Sequence, residues 1–282
     1  MIGTLGTRRP RPNEEKALRE LWQQGFPGEE PYLECYFKNR YQRTETLILE
    51  EDKVPVCMMA TLPMITVEPD GTRLEAMYLY AVTTREDRRR LGFLETLLQS
   101  ADMVFRAQKK DCALVVPAND ASRAAFEKGG FHDAFSLREF TVEDLPETAA
   151  APVLKPAEYR RRREAMLKGH YYVSCNTDAI EFARKFARVS GGDLYGIGRD
   201  ACALAERLPD GTVLIKELLT DPGEEDALIA AVAAAMKAKR CVVRTPEWLC
   251  TDRGEVRPFG LIRGYDRVEL PGEPGWLGIA YD

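Results

Sequence analysis

Apolar residues recur at three- and four-residue spacing in Asn13 to Gly25, where Leu18, Leu21 and Trp22 share one stripe. The same spacing returns in Gly92 to Ala107 with Leu94, Leu97, Leu98, Ala101 and Phe105. Both stretches predict amphipathic helices, the first with Asn13 as its N-cap and Pro27-Gly28 as its stop. A second short helix is predicted over Pro31 to Asn39. Thr46 to Glu50, Pro55 to Val67 and Arg73 to Val82 read as strands, the last two joined as a hairpin by the turn Glu68-Pro69-Asp70-Gly71. A short apolar strand, Ala113 to Val116, precedes a helix over Asn119 to Lys128, a Gly129-Gly130 stop and a strand opening at Phe131.

Between Val142 and Pro156 the composition turns to Pro, Ala, Glu and Thr, which suits an exposed linker and places a domain boundary there. The expected domains are residues 1–145 and 157–282. The second half repeats part of the first plan. A helix over Asp178 to Arg188 precedes a hairpin of Ala201 to Leu208 and Thr212 to Leu219, turned at Pro209-Asp210-Gly211. A helix over Glu224 to Ala238 and an apolar strand, Cys241 to Arg244, follow. Hairpin, helix and strand in the same order predict a duplicated fold, with Phe259 to Ile262 and Trp276 to Ala280 completing the second sheet. The glycines of Gly191-Gly192 and Gly196-x-Gly198 are read as turn residues, and the Arg160 to Arg163 run as a solvated helix face.

Composition narrows the function classes. The 282 residues are 45% hydrophobic and 30% charged, too apolar for a disordered chain. A net charge of −5 disfavours a general nucleic-acid or anionic-membrane binder. Seven cysteines contain no CxxC pair and read as reduced thiols of a cytoplasmic protein. No apolar segment follows the arginines of Met1 to Arg11, and the longest apolar stretch, Leu228 to Met236, is too short to span a bilayer. With only His132 and His170, no metal site and no histidine-based triad is expected.

The chemistry is concentrated in Ala81-Val82-Thr83-Thr84-Arg85-Glu86-Asp87-Arg88-Arg89-Arg90-Leu91-Gly92-Phe93-Leu94. A strand running into a helix leaves first-turn N–H groups unpaired at the positive end of the helix dipole, which makes an anion pocket. Four arginines beside it point to a phosphate or pyrophosphate, against the alternative of a solvated run pairing with Glu86, Asp87 and Glu95. This segment resembles the acetyl-CoA loop of the GCN5-related N-acetyltransferase (GNAT) superfamily, a Gln or Arg, two residues, Gly, one residue, then Gly or Ala. Arg89, Gly92 and Leu94 stand at those places, Leu94 departing from the usual small residue. Downstream, Asn119 to Phe131 resembles the family's Asn-led helix closing in Glu-Lys-x-Gly-Phe.

The resemblance spans about residues 1–142. It implies an α+β fold of two GNAT-like domains, the second degenerate, and acetyl-CoA as cosubstrate. By resemblance Tyr80, Val82 and Thr84 line the thioester and pantetheine, Arg89, Arg90, Leu91, Gly92, Phe93 and Leu94 the pyrophosphate, and Asn119 and Phe126 the arm. The acceptor implied is a small-molecule or peptide amine attacking the thioester directly, and the sequence leaves its identity open. Many relatives carry a Tyr acid where this chain has Phe126. Where relatives have a glutamate base, eleven residues ahead of Arg89, this chain has Tyr78.

Three readings follow. One is catalysis by proximity, with the proton passing through water to Tyr78 or Glu75. Another is an acid or base from the second domain, Asp282 with the terminal carboxylate being the candidate. The last is a non-catalytic acyl-CoA sensor or scaffold. The residues also have structural readings: Tyr78 as sheet packing, Glu75 as a solvated strand residue, and the cluster Tyr32, Tyr36, Phe37 and Tyr41, which by resemblance would wall the acceptor pocket, as helix core. Cys57 and Cys112, on core strands, are the thiols to check for an acyl-enzyme. In the second domain the strand-to-helix junction, Leu218 to Asp226, carries four acids and no base, so no CoA site is expected there. That half is expected to stabilise the first, wall off an acceptor groove or build a homodimer.

Overall fold

Each predicted helix forms where its apolar stripe finds a core. The computed structural model describes residues 5–265, 268, 270 and 272–281. In chain order the elements are β1 (Leu5–Arg8), α1 (Glu15–Gly25), α2 (Glu30–Asn39), β2 (Thr46–Glu51), β3 (Val54–Val67), β4 (Arg73–Thr84), α3 (Phe93–Ala107), β5 (Cys112–Val115) and α4 (Asp120–Lys128). Then come β6 (His132–Val142), α5 (Pro156–Leu167), β7 (Tyr172–Ser174), α6 (Thr177–Arg188), β8 (Asp193–Ile197), β9 (Ala201–Arg207), β10 (Val213–Leu219), α7 (Glu225–Met236), β11 (Cys241–Thr245) and β12 (Glu255–Gly264). The fold is α+β, as the pattern predicts. β1, lying in the arginine-bearing N-terminal stretch, is an addition.

The chain divides into two units: Met1–Met64, Leu74–His132 and Leu261–Leu270 in one, Ile65–Arg73, Asp133–Gly260 and Pro271–Asp282 in the other. This division differs from the cut expected in the 142–156 linker.

In the first unit the strand order is β1, β2, β3, β4, β5 and then the end of β12. β4 and β5 are parallel, with Ala76 opposite Cys112 and Leu79 opposite Val115. Leu261–Gly264 runs antiparallel to β5, Leu261 facing Val115. Period-two patterning assigned Phe259 to Ile262 to the second sheet; Leu261 and Ile262 of that segment pair with β5, because alternation records that a strand is buried and not which strand it pairs with. Leu97, Leu98, Ala101 and Phe105 of α3 join Met77, Leu79, Ala113, Val115, Phe126 and Leu261 in one buried cluster. The N-cap position of α1 is Glu14 rather than Asn13, with no side-chain bond to the helix amides. The Glu14 carboxylate accepts the Arg11 N–H at 2.6 Å and pairs with Arg8 at 2.6 Å.

In the second unit the order is β6, β11, β10, β9, β8. β9 and β10 form the predicted hairpin, and β11 lies parallel to β10 after α7. The order hairpin, helix, parallel strand is that of β3, β4, α3 and β5. β8 contains Gly196, one of the glycines read as turns, and Trp276 bridges to Tyr172. The Arg160 to Arg163 run is a solvated face only in part: Arg161 is exposed, Arg162 and Arg163 are buried. Arg163 is fully buried, its guanidinium 2.9 Å from Glu217, which also accepts from Tyr159 Oη and Trp276 Nε1, both at 2.7 Å. The partner lies on β10, so its presence was invisible in the local charge pattern.

Candidate functional site

The β4–β5 ladder stops at Leu79 and Val115, while β4 continues to Thr84. Within that extension Ala81 adopts a left-handed backbone, φ +49°, which costs a non-glycine residue about 1 kcal/mol. The kink breaks the period of two. Met77 and Leu79 face the α3 side, and so does Val82, which packs against the same cluster. Thr84 follows it, its hydroxyl 3.1 Å from the Cys57 sulfur. Tyr78 and Tyr80 lie on the other face, stacked with centroids 6.2 Å apart, Tyr80 meeting Trp22 edge-on at 5.3 Å.

After Thr84 the arginine loop leads to Gly92, which precedes α3 at φ +80°. The Gly92 carbonyl accepts the Thr96 N–H at 3.0 Å, so the amides of residues 93–95 have no intrahelical acceptor. A Cβ on Gly92 would meet no atom within 4 Å, which means that the space in front of this helix end is open. Opposite, Asn119 caps α4 through a reciprocal box: its Oδ1 accepts the Ser122 N–H at 2.9 Å and its own N–H donates to Ser122 Oγ at 3.0 Å. Between them lies a cleft of about 600 Å³, lined by Val82–Thr84, Arg88–Arg90, Gly92–Glu95 and the Asn119, Ser122, Ala125 side of α4.

The arginines do different work. Arg85 pairs with Asp87 at 2.6 Å, and Arg88 with Glu51 at 2.6 Å. Arg89 donates to the carbonyls of Thr84 at 3.2 Å and Gln24 at 2.6 Å, tying the loop to the C-terminal end of α1. Arg90 is exposed, with no ion pair among the described residues, and borders the cleft. The charge-run alternative therefore holds for Arg85 and Arg88, and the anion reading rests on Arg90 and the helix amides.

Residues 7–132 match the acetyltransferase (GNAT) domain family. The chain carries a GNAT domain. No protein of curated function matches it. Among solved structures it is similar to a GCN5-related N-acetyltransferase from Kribbella flavida, at 12% identity and TM-score 0.71 over 94% of this chain and 72% of that one. A GCN5-related N-acetyltransferase from Anabaena variabilis aligns at 14% and 0.71, over 93% and 73%. Eis1 from Mycobacterium abscessus aligns at 11% and 0.69, over 93% and 74%. At such identities the likeness is one of fold.

Within the GNAT domain most of the expected cofactor residues converge: Val82, Thr84, Arg89, Arg90, Gly92, Phe93, Leu94 and Asn119 all border the cleft. Leu94 turns inward against the core, and the Phe93 side chain is buried there. Three do not join them. Tyr80 is carried to the far face by the Ala81 kink, which strict alternation with Val82 could not foresee. Phe126 is buried in the core against Phe131, ring centroids 5.6 Å apart. Leu91 is 60% exposed.

The catalytic candidates are dispersed. Glu75 lies near the start of β4 and pairs with Lys110 at 2.8 Å, about 30 Å along the strand from Thr84 at ~3.3 Å per residue. Tyr78 is buried beside Tyr80. Asp282 lies outside the described residues.

Sequence reasoning missed Gly25, Phe26, Ala121, Ser122, Ala125 and Lys128 as lining residues. The helical spacing of 121, 125 and 128 was a signal for one face of α4. Gly25 had none, since its need is tertiary: a Cβ there would lie 2.3 Å from the Thr83 hydroxyl. Burial pushes the Cys57 thiol up to about 12, opposed by its hydrogen bond to Thr84, so it is protonated near neutral pH and a poor nucleophile. Cys112 is fully buried. Among the described residues no group of three His, Cys, Asp or Glu could hold a metal, and no helix is long and apolar enough to cross a membrane.

Proposed function

We propose that the chain is an acetyl-CoA-dependent N-acetyltransferase that passes the acetyl group directly to a primary amine. The observation that carries this reading is the cleft itself, with the free first-turn amides of α3 on one side and the capped end of α4 on the other. The pyrophosphate belongs at residues 92–95 beside Arg90, where N–H groups and the helix dipole meet a cationic side chain. The pantetheine arm belongs along Val82–Thr84, whose backbone extends past the end of β5. Asn119 has spent its Oδ1 on the cap, which leaves its Nδ2 for the arm's amides.

The amine nitrogen attacks the thioester carbon, the C–N bond forms, the C–S bond breaks and CoA leaves as the thiolate. The ammonium proton passes to water. With Tyr78 buried in the sheet and Glu75 held by Lys110 at the other end of β4, orientation supplies the acceleration. The dispersal of these groups also supports the second reading, an acyl-CoA binder without turnover.

Residues 157–282 fit a degenerate copy of the fold without a CoA site. Two observations support this: the Glu225 carboxylate takes the Gly223 N–H at 2.7 Å in front of α7, and Thr245 Oγ1 bridges β11 to the Leu218 carbonyl of β10 at 2.9 Å. An anion there would meet a carboxylate, and the gap between the strands is closed.

Calorimetric titration with acetyl-CoA tests the reading. One site per chain is expected, followed by amine-dependent CoA release across a panel of polyamines, amino acids and peptides. Two sites, or none at millimolar ligand, would refute it. Binding without amine-dependent release selects the non-catalytic reading.

A further inference from the structure

The GNAT match ends at residue 132, yet one group that holds the cleft's walls together comes from the far end of the chain. Leu261–Gly264 pairs with β5 and sets Arg263 opposite Ala113. From there the Arg263 guanidinium donates to the Gly129 carbonyl at the C-terminal end of α4 at 2.7 Å, and it pairs with Asp102 in the middle of α3 at 2.7 Å. Tyr265 Oη donates to the other Asp102 oxygen at 2.9 Å, so the carboxylate is held from two sides.

These bonds bear on the seat of α4. A separate space of about 200 Å³ lies between α3 and α4, lined by Glu95, Leu98, Gln99, Ala125, Lys128, Gly129 and Arg263. Three of those residues, Glu95, Ala125 and Lys128, also border the candidate cofactor cleft. Beside the buried contact that Leu98 and Phe126 share, the helices therefore leave a gap between them. Their direct polar link there is the 3.5 Å pair of Lys128 with Glu95, both exposed, which contributes little. The guanidinium is planar and forked, and its two arms fix a carbonyl of one helix and a carboxylate of the other at a set spacing. The positive charge also sits at the negative end of the α4 dipole.

We infer that Arg263 is a positioning residue for the acetyl-CoA cleft, setting the seat of α4 against α3 without touching the cosubstrate. The inference rests on the functional reading above. Through it, the C-terminal strand of the chain completes a site whose other parts all lie before residue 132.

The test compares full-length wild type, Arg263→Ala, Arg263→Lys, Asp102→Asn and Arg8→Ala by thermal unfolding and by calorimetry with acetyl-CoA. Arg8→Ala breaks ion pairs to Glu14 and Glu50 in the same unit, away from the cleft residues, and serves as the stability-matched control. Arg263→Ala is expected to weaken acetyl-CoA about tenfold, the usual scale of coupling between linked sites. In turnover its KM for acetyl-CoA rises by the same factor, while the amine KM holds. Arg263→Lys, which can reach one partner at a time, falls between. Arg8→Ala lowers the melting temperature and leaves the dissociation constant within roughly twofold.

Equal effects of Arg263→Ala and Arg8→Ala on affinity, or none from either Arg263 variant, would overturn the inference while leaving the function standing. If Arg263→Ala does not fold, Arg263→Lys and Asp102→Asn decide by the same comparison. A wild type that binds no acetyl-CoA overturns both.

Discussion

Gly92→Asp should separate stability from binding, changing the first little and the second greatly. Gly92 has φ +80°, and no atom lies within 4 Å of a Cβ placed there. The substitution therefore brings no clash, only the left-handed strain of about 1 kcal/mol, which Asp tolerates better than most residues. A carboxylate in front of α3 faces free amides and the positive dipole end, which returns about 0.3–1 kcal/mol. The unliganded protein should lose less than about 1 kcal/mol of unfolding free energy. Binding is another matter: at ~5 Å and an effective dielectric of ~20, one carboxylate repels each unit of phosphate charge by about 3 kcal/mol. That corresponds to roughly 200-fold weaker acetyl-CoA at about 1.4 kcal/mol per decade. Urea unfolding and calorimetry read the two quantities, with Gly92→Ala as the uncharged control at the same backbone angle. An affinity for acetyl-CoA within roughly threefold of wild type would refute the placement of the pyrophosphate.

Two other outcomes follow from buried and half-buried charge. Glu217→Ala strands the fully buried Arg163 and removes the acceptor of Tyr159 and Trp276. It should cost about 3–5 kcal/mol, and Arg163→Met with Glu217→Leu should recover most of it; a loss under about 1 kcal/mol in urea unfolding would contradict the geometry. Arg8 holds the Glu14 carboxyl down to about 2, below its ordinary 4.5, chiefly through their hydrogen bond. Its contribution is complete above pH 4.5 and is lost as pH falls through about 2. Glu14→Gln should therefore flatten the acid limb of the stability profile, and an unchanged limb would count against the pair.

The parts of the candidate cleft were readable because they are local. A strand end, a basic loop, a glycine before a helix and an Asn cap all fall in two short stretches, and each is specified by neighbours within a few residues. The GNAT resemblance of those stretches agrees with the family match over residues 7–132. Tyr78 was chosen differently, by the family spacing from Arg89, and the line of Tyr80, Val82 and Thr84 assumes a constant period of two along β4. One left-handed residue, Ala81, is enough to separate Tyr80 from Val82 and Thr84, and an alanine gives no warning of it. Glu75 lies apart for a simpler reason: on a strand, register decides the face, and distance along the strand decides the end.

The sequence by itself determined the elements, their order, the apolar faces and the open helix end behind the arginine loop, since each follows from spacing and capping within a turn or two of chain. Only the tertiary structure decided that Arg163 is buried on Glu217, 54 residues away. It also decided that Leu261–Gly264 belongs beside β5, and that Arg263 reaches Asp102 and Gly129. A charge or a strand carries no local record of its partner. Burial and hydrogen bonding choose that partner when the whole chain packs, because an unpaired buried polar group costs more than the ordering needed to pair it.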